Sequence, residues 1–92
     1  MRVRFLARTS AQIDKALAYV SVRSPQGAAN IRARIQAAAA FLQEQPLAGQ
    51  RTSDPKVRRV VSSPFPYLIF YRVTATEIVV LRFRHAARRP PN

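Results

Sequence analysis

The chain is poor in the residues that build disulfides, metal sites and membrane spans. Its 92 residues include no cysteine, so the sequence offers no disulfide framework and no thiolate metal site. His85 is the only histidine, and the four acids, Asp14, Glu44, Asp54 and Glu77, are scattered, which argues against a zinc or two-metal centre. No apolar run approaches the roughly 18 residues of a membrane span, and the N-terminal MRVRFLART lacks the apolar region of a signal peptide. We expect a cytoplasmic protein with no metal, no cofactor and no membrane partner.

The length predicts a single domain over residues 1–92. A chain of this size buries only roughly 60–65% of the surface that its unfolded form exposes, so the core is modest. The hydrophobic fraction of 48% is ordinary for a globular protein. Composition therefore favours a small folded domain over a disordered chain.

The charge balance is the unusual feature of the composition. Sixteen lysines and arginines oppose four acids, for a formal net charge of +12, and only Lys15 and Lys56 among the sixteen are lysines. A guanidinium group binds carboxylate and phosphate in a bidentate manner and stacks on flat groups. A field of this sign concentrates polyanions near the protein. The charge by itself therefore favours three classes of partner: a nucleic acid, an acidic protein segment or an anionic membrane surface.

The N-terminal half has the pattern of one strand followed by a helical hairpin. Residues 1–7 alternate between apolar and polar side chains, which predicts a short, half-buried strand. Thr9 or Ser10 offers an N-cap oxygen for a first helix that ends at Arg23. The short link to the next helical segment predicts an antiparallel pair of helices.

A second helix restarts at Ser24 and Pro25. Serine is a good N-cap, and proline fits the first helical position because the N–H it lacks would have no partner there. The apolar spacing continues to about Gln45, and Pro46 ends the helix. Residues 47–56 then read as a polar, mobile connection without regular structure.

Residues 57–85 read as three consecutive strands with the sequences VRRVVSS, PFPYLIFYRV and TATEIVVLRFRH. Alternation divides each strand into two faces. In the second strand, the predicted core face consists of Tyr67, Ile69, Tyr71 and Val73, and the other face of Leu68, Phe70 and Arg72. In the third strand, the predicted core face consists of Val79, Leu81, Phe83 and His85, and the other face of Ile78, Val80, Arg82 and Arg84.

These elements predict an α+β fold with the order β-α-α-β-β-β. We expect a small antiparallel sheet with the N-terminal helical hairpin packed on one face. The opposite face combines apolar residues with guanidinium groups, which is a composition typical of a binding groove.

The strand motifs RRVVSSPFPYLIFYRV and EIVVLRFRHAARRP, in this order of elements, resemble the RelE/ParE superfamily of type II toxins, and the ParE branch more than the RelE branch. The resemblance implies a basic bacterial toxin neutralised by the acidic, largely disordered segment of a cognate antitoxin. ParE-like members are associated with inhibition of DNA gyrase, which makes gyrase the expected target. RelE-like members cleave messenger RNA on the ribosome, which makes a ribosome-dependent endoribonuclease the alternative. The third hypothesis is a non-toxic, basic nucleic-acid-binding module. Because only the endoribonuclease would be an enzyme, the sequence leaves open whether the chain has catalytic activity.

The candidate site residues follow from charge and from strand faces. If the chain is RelE-like, catalysis needs charge stabilisation and proton transfer, for which the candidates are Arg59, Arg72, Arg82 and His85. The alternative role for His85 is hydrogen bonding at the end of a strand. Core packing is the expected role of Tyr67 and Tyr71. The predicted antitoxin- or target-binding residues are Leu68, Phe70, Arg72, Arg82, Arg84, Arg88 and Arg89.

Overall fold

The structure of the chain is a computed structural model that describes residues 1–87. One strand and two helices precede four further strands. In chain order the elements are β1 (Arg2–Phe5), α1 (Ala7–Arg23), α2 (Pro25–Glu44), β2 (Gln50–Arg51), β3 (Arg58–Val61), β4 (Tyr67–Val73) and β5 (Glu77–His85). Two helices on a single sheet confirm the predicted α+β class.

The five strands form one sheet in the order β1-β5-β4-β3-β2. Neighbours from β2 to β5 are antiparallel, but β1 runs parallel to β5, with Val3 opposite Ile78. The prediction of a purely antiparallel sheet is therefore wrong for β1. Short turns between successive strands impose antiparallel pairing on β3, β4 and β5. Both helices separate β1 from the later strands, so no turn dictates its direction.

The connection after α2 contains a short strand that the sequence does not predict. Gln50 in β2 pairs with Arg59 in β3 at the edge of the sheet. Beyond this pair, the Thr52 hydroxyl donates to the carbonyl oxygen of Val57 at 2.9 Å. The prediction of an irregular connection over residues 47–56 is therefore wrong in part. A strand of two residues is too short to show an alternating pattern, and its pairing depends on β3.

The two helices begin in different ways. The Ser24 hydroxyl accepts a hydrogen bond from the Gly27 N–H at 2.9 Å, and Pro25 is the first residue of α2, as predicted. The predicted cap of α1 is wrong, because α1 begins before Thr9 and has no side-chain cap. Thr9 is instead fully buried and donates to the carbonyl oxygen of Val80 at 3.0 Å. Within residues 1–87, neither helix is both long and apolar enough to cross a lipid bilayer.

A β-bulge in β5 reverses the predicted faces of its first half. The pairing with β4 shifts so that Leu81 is an extra residue without an opposite partner. Ile78 and Val80 therefore pack into the core, and Val79 lies on the opposite face, the reverse of the prediction. Beyond the bulge, Phe83 belongs to the core as predicted. One extra residue reverses the alternation of side chains on the two faces, and the residue types of β5 do not indicate where it lies.

The core between helices and sheet also anchors the connection after α2. Buried Tyr71 donates its hydroxyl to the Pro46 carbonyl oxygen at 2.8 Å and accepts from the Gly49 N–H at 2.9 Å. Burial raises the pKa of this hydroxyl. A side chain on Gly49 would collide with the Tyr71 ring. The buried core residues are Ile13, Leu17, Ile31, Ile35, Leu42, Ile69, Tyr71, Ile78, Val80 and Phe83.

Candidate binding surface

The face of the sheet that the helices leave uncovered carries a cluster of arginines. Directly opposite residues in neighbouring strands share a face. Arg82 lies opposite Phe70, and Arg84 lies opposite Leu68. Both pairs therefore project away from the core residues of β4. We call this surface the arginine face, and it consists of Arg2, Arg4, Arg59, Leu68, Phe70, Arg72, Glu77, Val79, Arg82 and Arg84.

Phe70 on the arginine face lies beneath two guanidinium groups. The guanidinium carbons of Arg82 and Arg84 are 4.7 Å and 5.4 Å from the centre of the Phe70 ring, within the range of about 6 Å for cation–π contact. Phe70 is only 7% exposed although it faces away from the helices. The two arginine side chains therefore cover an apolar ring, and of the two Arg82 is exposed while Arg84 is half-buried.

Two further apolar side chains on the arginine face are buried. Leu68 and Val79 are 8% and 0% exposed. Together with Phe70 they form what we call the apolar stripe. Arg84 lies opposite Leu68, and Arg72 lies opposite Val79, so guanidinium side chains border the stripe. The surface thus combines apolar area with positive charge over a short distance.

Glu77 is the one acid on the arginine face among the described residues. The Arg4 guanidinium donates to it, with Nη2 3.0 Å and Nε 3.2 Å from Oε1. These hydrogen bonds, followed by the charges of Arg4, Arg2 and Arg72, lower the pKa of the Glu77 carboxyl. Six arginines against one carboxylate leave the face strongly positive.

An apolar cleft continues from the arginine face around the edge of the sheet. It has a volume of about 520 Å³ and lies between the C-terminal half of α2 and β3. Phe41 and Val61 in its lining are 52% and 49% exposed. Val61 pairs with Leu68 of the apolar stripe, so the cleft opens onto the arginine face. We call it the edge cleft, and its main lining residues are Arg34, Ala37, Ala38, Phe41, Val60 and Val61.

His85 lies on the other side of the sheet from the arginine cluster. It pairs with Tyr67, whose ring stacks on the core residue Phe83 with centroids 4.9 Å apart. Its Nδ1 accepts a hydrogen bond from the Ala87 N–H at 3.0 Å, at the end of β5. The candidate residues for RNA cleavage are therefore divided by the sheet, since three lie on the arginine face: Arg59, Arg72 and Arg82.

The predicted binding residues that the structure describes all lie on one face. These are Leu68, Phe70, Arg72, Arg82 and Arg84, and their binding role stays a prediction. Arg88 and Arg89 lie outside the described residues. Sequence reasoning missed Arg2 and Arg4 as members of this face, as well as the edge cleft. The alternation of β1 separates both arginines from the core side chains, but only its pairing with β5 brings them beside the cluster.

Comparisons with known proteins identify the family of this chain. Residues 3–90 match the family model described as "ParE toxin of type II toxin-antitoxin system, parDE". The chain is 31% identical over 90 residues to a Sinorhizobium fredii protein named "Putative toxin Y4kP", covering 98% of this chain and 93% of that protein. Its fold is similar to a solved structure titled "Chromosomal ParDE TA system from P. aeruginosa", with a TM-score of 0.80 and 24% identity over 92% of this chain and 95% of that chain. The chain belongs to the ParE toxin family and is a ParE-type toxin of a type II toxin–antitoxin system.

Proposed function

We propose that an acidic, amphipathic segment of the cognate antitoxin neutralises this toxin by lying along the arginine face. We also propose that the toxin inhibits growth in the cytoplasm by binding DNA gyrase, without catalysis of its own. The observation that carries the first proposal is the buried apolar stripe of Leu68, Phe70 and Val79, which arginines border and whose Phe70 ring lies beneath two guanidinium groups. A surface of this kind suits a ligand with both carboxylates and apolar side chains.

The cover over the apolar stripe is exchangeable. Arginine stems are flexible, so the guanidiniums of Arg72 and Arg82 can turn outward to pair with carboxylates of the antitoxin. Apolar side chains of the same segment then replace the stems over Phe70 and keep it out of water. The net charge of +12 adds a long-range attraction that speeds the encounter.

The edge cleft gives the same segment a path around the sheet. A chain that leaves the apolar stripe at Leu68 reaches Val61 next, because the two residues are paired. Beyond Val61, the half-exposed Phe41 ring offers apolar area on α2. A segment that follows both surfaces is in contact with the sheet and with the second helix.

The gyrase target is supported by the ParE family and by the position of His85. A nuclease of this size needs a proton-transfer group beside its charge-stabilising groups. His85 lies on the side of the sheet opposite Arg72 and Arg82, so these residues do not form such a set. This separation favours action by binding over RNA cleavage.

Co-purification with the antitoxin tests the proposed surface. We expect Arg72→Glu and Phe70→Asp to abolish the complex, because the first reverses a charge and the second replaces the aromatic ring of the apolar stripe with a carboxylate. The matched controls are Arg32→Glu on α2 and Val22→Asp on α1, which make the same chemical changes at exposed positions off the face. Circular dichroism checks that each variant is folded. If the folded Arg72→Glu and Phe70→Asp proteins kept the complex, the antitoxin would bind elsewhere.

Inducible expression and two assays test the target. We expect growth arrest, and we expect the purified chain to inhibit DNA supercoiling by gyrase while messenger RNA in translating ribosomes stays intact. Cleaved messages with unaffected gyrase would reject the gyrase proposal and support the endoribonuclease alternative. Tight binding to DNA or RNA with a steep salt dependence, without growth arrest, would instead support the nucleic-acid-binding module.

A further inference from the structure

A second concave site lies between the first helix and the sheet, at the end of the sheet where Arg84 borders the arginine face. It is a pocket of about 350 Å³ between one side of α1 and the paired ends of β4 and β5. Arg84 is the one residue of its lining that also belongs to the proposed antitoxin surface. We call this site the end pocket, and its principal lining residues are Gln12, Lys15, Tyr19, Tyr67, Phe83 and His85.

Both walls of the end pocket carry aromatic rings. On the sheet wall, Tyr67 stacks on Phe83 with centroids 4.9 Å and planes 13° apart, and His85 meets Tyr67 edge-on at 5.4 Å. On the helix wall, Tyr19 is 59% exposed, and the guanidinium carbon of Arg23 lies 4.3 Å from its ring centre. Aromatic walls of this kind favour a flat ring, because every such ring can stack on them.

Three polar residues that line the end pocket can donate hydrogen bonds to a ligand: Gln12, Tyr67 and His85. His85 Nδ1 accepts from the Ala87 N–H, so the neutral imidazole carries its proton on Nε2. Gln12 Oε1 accepts from the Phe83 N–H at 2.9 Å, which leaves the Gln12 NH₂ group to donate. The Tyr67 hydroxyl is a third donor. A ring that can accept hydrogen bonds from these donors must carry acceptor atoms. A heteroaromatic base has such atoms, and a benzene ring has none.

Positive charge lies on the helix wall at the mouth of the pocket. Lys15 is exposed there, and Arg23 lies over the neighbouring Tyr19 ring. Among residues 1–87, neither cation forms an ion pair. The one acid of α1, Asp14, lines a separate depression on another side of the helix. The mouth therefore attracts an anionic group.

We infer that the end pocket binds a nucleoside monophosphate, with its base at the aromatic walls and its phosphate at Lys15 and Arg23. The volume is at the lower end of the range of roughly 300–1,000 Å³ for ligand pockets, which suits one nucleotide rather than two. The nucleotide is either free in solution or the terminal residue of a strand, since both present the same chemistry. The site is independent of the antitoxin and gyrase proposals.

An NMR titration of the full chain with AMP at physiological salt tests the site. We expect amide shifts at Gln12, Tyr19 and Phe83. Lys15→Gln should weaken binding roughly tenfold, because it removes a charge-assisted contact. The matched control is Lys56→Gln, the same change at an exposed position away from the pocket. Equal weakening by both variants, or shifts confined to the arginine face, would overturn the assignment.

A ligand that lacks the base tests the aromatic walls of the pocket separately from its cationic mouth. Ribose 5-phosphate, which keeps the phosphate but has no base, should bind at least about tenfold more weakly than AMP, because it cannot stack. Tyr67→Leu should weaken AMP binding by roughly 5- to 100-fold and leave ribose 5-phosphate unaffected. If ribose 5-phosphate bound as tightly as AMP, the aromatic walls would have no role and the proposal would fail.

A short oligoadenylate distinguishes the two sources of the nucleotide. Tighter binding of the oligomer than of AMP, with the same Tyr67→Leu loss, supports the end of a strand as the ligand. Equal or weaker binding of the oligomer with the same loss supports the free nucleotide. An oligomer whose binding is insensitive to Tyr67→Leu, together with no measurable AMP binding, would contradict both.

Discussion

The two faces of the sheet bury apolar residues in different ways, and two neighbours on β4 illustrate the difference. Ile69 is 3% exposed and packs in the core beneath the helices. Leu68 is 8% exposed on the arginine face, where no helix covers it and Arg84 lies opposite. Ile69 is covered by helices, whereas Leu68 lies on a face where its neighbours are charged side chains. Nearly equal burial therefore has two different physical origins.

The difference shows that low exposure alone does not identify a core. A helix that covers a residue is held by the rest of the fold, so that cover stays in place until the protein unfolds. An arginine side chain moves by rotation about its own bonds, on a much shorter timescale. The cover of Phe70 by Arg82 can therefore be removed while the fold is intact. This property separates a binding surface from a core on the same sheet.

The largest expected effect comes from truncating the two neighbours on β4. Ile69→Ala should lower the free energy of unfolding by about 2–5 kcal/mol, because the helices cannot close the cavity. Leu68→Ala should cost less, about 1–2 kcal/mol, because arginine stems can close over the gap. Urea denaturation of both variants measures this difference. Equal losses would mean that the arginine cover is as rigid as the helices.

The second prediction concerns the hydrogen bonds of the Tyr71 hydroxyl, on the side of the sheet that the helices cover. Tyr71→Phe removes one donated and one accepted hydrogen bond and should cost about 2 kcal/mol. The control is Tyr19→Phe, whose hydroxyl is exposed and should matter by less than about 0.5 kcal/mol. Because the pKa of Tyr71 is raised on folding, its contribution is complete below the ordinary tyrosine pKa and is lost as the pH rises through the folded value. If Tyr71→Phe kept the stability of the parent chain, the two hydrogen bonds of the Tyr71 hydroxyl would not contribute to that stability.

A smaller effect is expected from removing the arginine cover itself. Arg82→Ala should lower the free energy of unfolding by about 0.5–1 kcal/mol, because it removes a cation–π contact and exposes Phe70. Arg32→Ala on α2 is the control and should be nearly neutral. Chemical denaturation at low and high salt measures both. Should Arg32→Ala prove equally costly, the loss would come from helix surface charge rather than from the cover of Phe70.

The smallest effect is the acid dependence of the ion pair on the arginine face. The Arg4 guanidinium lowers the pKa of Glu77 in the folded chain. The resulting stabilisation is present above the unfolded glutamate pKa of about 4.3 and is lost as the pH falls through the folded value. Denaturation midpoints from pH 6 to pH 3 should therefore converge for the parent chain and Glu77→Gln. Asp14→Asn has no ion pair to lose and is the control, so a convergence of the same size there would rule out a specific Arg4–Glu77 contribution.

Local signals in the sequence predicted much of the fold. Ser24 and Pro25 mark the start of α2 because capping and ring geometry involve only adjacent residues. The alternation in β4 placed Phe70 and Arg72 on the face away from the helices, since each strand residue points opposite to the next. The strand motifs also sufficed for the family resemblance, which the comparisons confirm.

The predictions that were wrong concern features that depend on contacts between distant segments. Thr9 was expected to cap α1, but it donates to Val80, far away in the chain. The faces of β5 were reversed at Val79 because the extra residue, Leu81, is defined only by the register with β4. The edge cleft likewise requires α2 to lie beside β3. No composition or periodicity within one segment contains this information.

The amino-acid sequence by itself determined the excess of arginine, the helix restart at Ser24 and the division of β4 into an apolar and a mixed face. Each of these depends on the residue types or on their immediate neighbours. Only the tertiary structure decided that β1 lies parallel beside β5 and that His85 is on the other side of the sheet from Arg82. The reason is that pairing partners and register are set by hydrogen bonds and packing between segments that the chain brings together only when it folds.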